Sequence, residues 1–260
     1  MVENPVAPSA VFEPIVKRMP KEMTVREIKE TVEAFAEAAE RAKEAGFDAV
    51  QLHAAHGYLL SEFLSPYTNR RIDEYGGNIG NRIRILKEIY NSIVRKIGRD
   101  FPVLIKVNVS DFLEGGVDLD ESKKIAGRLS NLGIAAIETS GGMFETRIFN
   151  KDLTASRRKI TTKEREAYFL QYAKEIKKVI NIPLILVGGI RSLDVIEEIL
   201  KNGDADFVAL SRPLIREPDL PNKWLKKNGG LIAECISCNA CFGSLRTGGV
   251  RCLEKEKTRK

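Results

Sequence analysis

Short apolar runs alternate with amphipathic stretches along most of this 260-residue chain, and that alternation constrains its fold more than any other feature. A helix opens with the capping box Thr24-Val25-Arg26-Glu27. In such a box the threonine hydroxyl takes one free backbone N–H and the glutamate reaches back to take another. The apolar residues that follow recur at helical spacing, and the helix ends before Gly46. Phe47 to Leu52 reads as a buried strand, followed by a short Leu59–Leu64 segment and a polar loop, Thr68–Gly80. Further strands are predicted over Val103–Val109, Ile134–Thr139, Ile182–Val187 and Phe207–Leu210. Helices are predicted over about Asn81–Ile97, Leu119–Asn131, Thr162–Ile180, Leu193–Lys201 and Asp219–Lys227.

Strands separated by single helices imply parallel pairing through right-handed crossovers, and hence an α/β fold. The reading yields five strands. A closed (β/α)8 barrel of TIM type needs eight. Residues 1–23, with Pro5, Pro8, Pro14 and Pro20, read as an extended N-terminal arm too short for three more units. The pattern predicts either an open doubly wound sheet or an incomplete (β/α)8 barrel with about five of its eight parallel strands. The expected division is an arm at 1–23, a partial barrel at 24–230, a cysteine-rich segment at 231–253 and a charged tail at 254–260.

The bulk numbers exclude several classes of function. Hydrophobic content of 43% and charged content of 30% are ordinary for a water-soluble domain. No apolar run approaches the length of a membrane span. The start, Met1-Val2-Glu3-Asn4-Pro5, lacks the charged-then-apolar layout of a signal peptide, so a cytoplasmic protein is expected. Net charge is +6, but Lys and Arg are interspersed with Asp and Glu. No aromatic residues interleave with a basic stripe, which argues against nucleic-acid binding. The tail Glu254–Lys260 reads as a frayed, solvated end.

Both histidines of the chain, His53 and His56, fall within four positions, and Tyr58 follows. They are predicted just past the C-terminal end of a strand, where the chemistry of an α/β barrel sits. Imidazoles can donate to a carbonyl or an anion, and a phenol can deliver a proton. The bland alternative is a histidine pair capping a turn. Two later strand ends carry Gly188-Gly189 and Ser211-Arg212-Pro213. Glycines allow close backbone approach, and Ser and Arg add donors and charge, a set suited to a phosphate. For Gly188 and Gly189 alone, a tight turn is the alternative. Lys106 lies inside an apolar strand and needs a partner. It either stabilises negative charge on a cofactor or pairs with Glu138 on the neighbouring strand.

Cys235, Cys238, Cys241 and Cys252 follow the spacing C-x2-C-x2-C-x10-C. In a chain read as cytoplasmic this argues for metal rather than disulfides. Three closely spaced thiolates and a distant fourth suit a cubane iron–sulfur cluster, [4Fe-4S]. Structural zinc more often uses two separated C-x2-C pairs, and unmetallated thiols are the third reading.

These residues resemble the old yellow enzyme family of NADH:flavin oxidoreductases. The resemblance is carried by His53-Ala54-Ala55-His56-Gly57-Tyr58, Phe63-Leu64-Ser65-Pro66, Asn69-Arg70-Arg71, Asp73-Glu74-Tyr75-Gly76-Gly77, Gly188-Gly189-Ile190 and Arg212-Pro213-Leu214. The segment Cys235-Ile236-Ser237-Cys238-Asn239-Ala240-Cys241 is similar to the iron–sulfur branch that includes 2,4-dienoyl-CoA reductase and trimethylamine dehydrogenase. The resemblance implies a (β/α)8 barrel holding FMN, with NADH or NADPH as electron donor and a small-molecule acceptor such as an activated alkene. It implies that His53 and His56 bind the acceptor, that Tyr58 donates the proton and that Lys106 lies beside the flavin's N1–C2 carbonyl edge. It places Gly188, Gly189, Ser211 and Arg212 at the flavin phosphate. Family members carry three strands before the helix that begins here at Thr24, so those strands are expected from a complementing chain or are absent, and a homo-oligomer is the other expected partner. A non-catalytic fragment or subunit that carries only the metal site is the competing function.

Overall fold

The computed structural model describes residues 4–226 and 229–257. The last three residues of the expected charged tail, two residues of the expected Asp219–Lys227 helix or its flank, and the first three of the arm lie outside the described residues. The described residues contain seven strands. β1 (Val6–Ala7) and β2 (Lys21–Glu22) form a two-stranded parallel pair. The segment read as an extended arm thus pairs with itself over two residues. Arg71, itself buried, ties it to the body by donating to the carbonyls of Pro8 and Met23 at 2.8 and 2.6 Å.

The main sheet is β3 (Val50–Ala54), β4 (Val103–Asn108), β5 (Ala136–Ser140), β6 (Leu184–Val187) and β7 (Phe207–Ala209), all parallel and in that order. Leu52, Ile105, Ile137 and Leu184 stand in one register row and are buried. They share the main core with Ile28, Val32 and Ala36 of the Val25–Glu44 helix and Ile85, Ile89 and Ile93 of the Arg84–Ile97 helix. The next row, one residue on, is His53, Lys106, Glu138, Ile185 and Phe207, and it faces the opposite side. Here His53 is exposed and Phe207 is 57% exposed. A doubly wound sheet buries both faces under helices. This sheet leaves that face exposed at its edge strands, β3 and β7, among the described residues, as an incomplete barrel does.

Two predicted elements are corrected. The first main-sheet strand starts at Val50 rather than Phe47, because parallel pairing begins at Val50 opposite Val103 and Phe47 is 65% exposed. His53 consequently lies inside the strand, and only His56 and Tyr58 lie past its end. The helix expected over Thr162–Ile180 is broken into a short 3-10 turn, Lys163–Arg165, and a helix at Leu170–Lys177. Between them Glu166 turns inward, accepting from the backbone N–H groups of Arg191 and Ser192 and from the Ser192 hydroxyl. Ala167 takes a positive φ of 49°, and Tyr168 N–H donates to Gly188 O. These tertiary bonds outweigh local helix propensity.

Candidate active site

The turn after β3 places the chemistry. His56 and Gly57 both adopt left-handed backbone, at φ 67° and 77°. That is uncommon for a non-glycine residue and calls for a fixing contact. Asn108, at the end of β4, supplies it: its Oδ1 accepts from His56 N–H at 3.1 Å. The Asn108 amide is held in turn by the buried Asp111, to whose Oδ1 it donates at 2.8 Å. His56 Nε2 lies 2.7 Å from the Ser140 hydroxyl at the end of β5. Burial, with His53, Lys106 and Arg147 nearby, pushes the His56 imidazole down to about 3, so it is neutral at ordinary pH. His53 is also lowered, by burial and by Lys106. Its ring lies 5.0 Å from those of both His56 and Tyr58.

Lys106 makes the Glu138 pairing and also reaches the cleft. Its Nζ is 2.8 Å from Glu138 Oε1, and Gln51 Nε2 donates to the other oxygen of Glu138 at 2.9 Å. Its side chain also lines a cleft of about 240 Å3 that opens at the C-terminal ends of the strands. His56 and Tyr58 line that cleft on the side of β3, and Gly189, Ser211 and Arg212 line it on the side of β6 and β7. His53 and Gly188 are not among its lining residues.

The glycine pair is set largely by packing. A Cβ on Gly189 would fall 2.7 Å from Tyr168 Cε1, and one on Gly188 would fall 3.1 Å from Phe169 Cδ2. The helix after Ser211 spans only Arg212–Arg216, so an anion at this end would depend on the Arg212 guanidinium more than on a helix dipole. Arg212 Nη1 donates to Arg157 O at 2.7 Å and to Asn239 Oδ1 at 2.6 Å. Its Nε and Nη2 make no hydrogen bond among the described residues. The donor set therefore fits a phosphate.

All four cysteines line one small apolar pocket, together with Arg212, Ile215 and Asn239. Among the described residues no group of three or more His, Cys, Asp or Glu stands as a ready site for a single metal ion.

The sequence reading passes over part of the cleft wall. The loop after β5 supplies Ser140, Met143, Phe144 and Arg147. Phe144 meets Tyr58 edge-on at 5.3 Å, and the Arg147 guanidinium lies 5.1 Å from the Phe144 ring centre. The available signal was Ser140-Gly141-Gly142, a second glycine pair at a strand end.

One cleft at the strand ends thus carries an imidazole and a phenol on one wall and an arginine on the other. The model of the NADH:flavin oxidoreductase / NADH oxidase family matches residues 2–229. This chain belongs to that family. The NADH oxidase of Thermoanaerobacter brockii is 42% identical over 241 residues, which cover 92% of this chain and 36% of that protein. The structure of a 2-naphthoyl-CoA reductase complex superposes with a TM-score of 0.86 at 31% identity, covering 97% of this chain and 37% of the other. The old yellow enzyme homologue from Zymomonas mobilis superposes with a TM-score of 0.71 at 28% identity, covering 97% of this chain and 66% of the other. The chain thus spans from about a third to two thirds of the proteins it matches here.

Proposed function

We propose that this chain forms the acceptor-binding and phosphate-binding side of an FMN-dependent NAD(P)H oxidoreductase that reduces activated alkenes or related acceptors. The observation that carries the reading is the shared cleft of His56, Tyr58, Lys106, Gly189, Ser211 and Arg212. When bound, FMN would supply the hydride. The chain's own residues bind and orient. Arg212, with Ser211 and the backbone at Gly189, would hold the phosphate through charge-assisted hydrogen bonds. Lys106, fixed by Glu138, would place a positive charge beside the flavin ring. His56 would donate a hydrogen bond to the acceptor's oxygen without carrying charge, and His53 would assist from the open face. Tyr58 would pass its phenolic proton to the substrate carbon.

Four cysteines lining one pocket at the spacing C-x2-C-x2-C-x10-C support a [4Fe-4S] cluster as the group held there. We also read the exposed edge strands β3 and β7 as covered in the working enzyme by further βα units, from a complementing chain or a second copy. A cleft of about 240 Å3 is smaller than the roughly 300–1,000 Å3 of ordinary cofactor sites, consistent with one wall of a larger site.

The test is the ultraviolet–visible spectrum of the purified chain, alone and co-expressed with a chain carrying three preceding βα units. Flavin absorbance that bleaches with NADH or NADPH is expected, strongest in the co-expressed form. No flavin in either preparation would overturn the assignment. Full flavin occupancy and ordinary turnover in a lone soluble monomer would overturn the need for covering strands.

A further inference from the structure

We propose that Asn239 positions Arg212 for the flavin phosphate, so that the cysteine segment and the phosphate site act as one coupled unit. The proposal rests on the FMN reading above. Arg212 lines both the cleft and the cysteine pocket. Its Nη1 is gripped between Arg157 O and Asn239 Oδ1, at 2.7 and 2.6 Å. Asn239 lies between Cys238 and Cys241 in the chain, and its Nδ2 donates to Ser156 O at 2.8 Å. One amide therefore clamps the arginine on one side and, on the other, the loop that presents Ser156 to the cleft.

The backbone at Asn239 is left-handed, at φ 67°. Glycine adopts that conformation freely, and asparagine and aspartate adopt it more readily than other residues. Asparagine meets the backbone demand and also supplies an acceptor for the arginine and a donor for the loop. A second link runs through Arg216, at the other end of the Arg212–Arg216 helix. Its Nη1 lies 3.8 Å from Cys252 Sγ, and its Nε and Nη2 pair with Glu234. The short helix that carries the phosphate arginine is thus tied to the cysteine segment at both ends. A cluster held by the cysteines would restrain Asn239 and, through it, Arg212. Coupling of this kind is reciprocal: a loaded cysteine pocket tightens phosphate binding by the factor that bound phosphate tightens cluster retention.

The test compares FMN with riboflavin, which lacks the phosphate, by quenching of flavin fluorescence on the full chain. Asn239→Gly keeps the left-handed turn and removes only the amide. It should weaken FMN by about tenfold, the order expected for loss of one hydrogen bond to a charged group, and leave riboflavin unchanged. Equal weakening of both flavins would mean general loosening of the cleft and would overturn the proposal, as would no weakening of FMN. In a second arm, iron is stripped with a chelator from anaerobically reconstituted protein. FMN affinity should fall in the wild type and show no further fall in Asn239→Gly. Wild-type FMN affinity that ignores iron, or a chain that takes up no iron and sulfide, overturns the coupling. A wild type that binds FMN no better than riboflavin overturns the phosphate-site reading itself, which separates the two failures.

Discussion

Replacing Lys106 by methionine should destabilise the fold through Glu138, whatever the chain binds. Lys106 Nζ and Glu138 Oε1 are 2.8 Å apart on adjacent strands, and Glu138 is buried. Methionine keeps most of the apolar stem and removes only the cation. The carboxylate is then left in the sheet face with one neutral donor, the Gln51 amide. Removing one partner of a buried ion pair costs about 3–5 kcal/mol, because the other charge stays buried. The Lys106 side chain is 23% exposed, so water reaches its place and, with Gln51, lowers the expected cost to about 2–3 kcal/mol. That is a large fraction of a net stability of about 5–15 kcal/mol. Urea unfolding followed by circular dichroism reads it as a lower midpoint at unchanged slope. The double variant Lys106→Met/Glu138→Gln removes the stranded charge and should recover most of the loss, a coupling of at least about 1 kcal/mol. A single variant as stable as wild type, or a double variant no better than the single, would refute the argument and return Lys106 to a role in ligand binding alone.

Three further outcomes follow from the site and its surroundings. Burial, with the Glu145 and Glu13 carboxylates nearby, pushes the Glu62 carboxyl up to about 8. Its contribution to stability is therefore full below about pH 4.5 and lost as pH rises through 8, so Glu62→Gln should exceed wild type at pH 9 by on the order of 1–3 kcal/mol; equal alkaline loss in urea titrations of both proteins would count against it. His56 runs the other way: its pKa of about 3 makes its contribution full above about pH 6.5 and lost as pH falls toward 3. The activity of the complete enzyme should show no limb from His56 between about pH 5 and 8, and a limb in that range that vanishes in His56→Asn would contradict its neutral state. Tyr58→Phe should lower the rate of alkene reduction by about 100-fold with flavin reduction by NAD(P)H unaffected; loss of flavin reduction instead would remove Tyr58 from the proton-donor role.

Much of the sheet was legible because its strands read as short, mostly apolar runs set between helical stretches. Phe47 misled that reading: it extends the apolar run of β3 in sequence but stands 65% exposed, outside the pairing that begins at Val50. Thr162–Ile180 misled it differently. Periodicity cannot reveal that Glu166 turns inward to bind the backbone of Arg191 and Ser192, and those bonds are what interrupt the helix. The site was legible as residue types at strand ends, but not as a constellation, since Asn108, Ser140 and Arg147 reach His56 only through tertiary placement.

Register is the link that sequence lacks, and Lys106 shows how the chain sets it. A lysine inside a strand demands a partner, yet the choice of partner depends on how β4 and β5 align. Leu104 pairs with Ala136, which brings Lys106 opposite Glu138, and β3 in turn presents His53 beside Lys106. A slip of one residue would set Lys106 against Ile137 or Thr139 and turn alternate side chains to the wrong face. The lysine and glutamate would then both lose their partner, and either Ile105 or Ile137, on whichever strand slipped, would leave the core. The ion pair and the apolar row therefore select the same alignment. That alignment carries β4 and β5 forward together, so that Asn108 and Ser140 end side by side, where His56 is held.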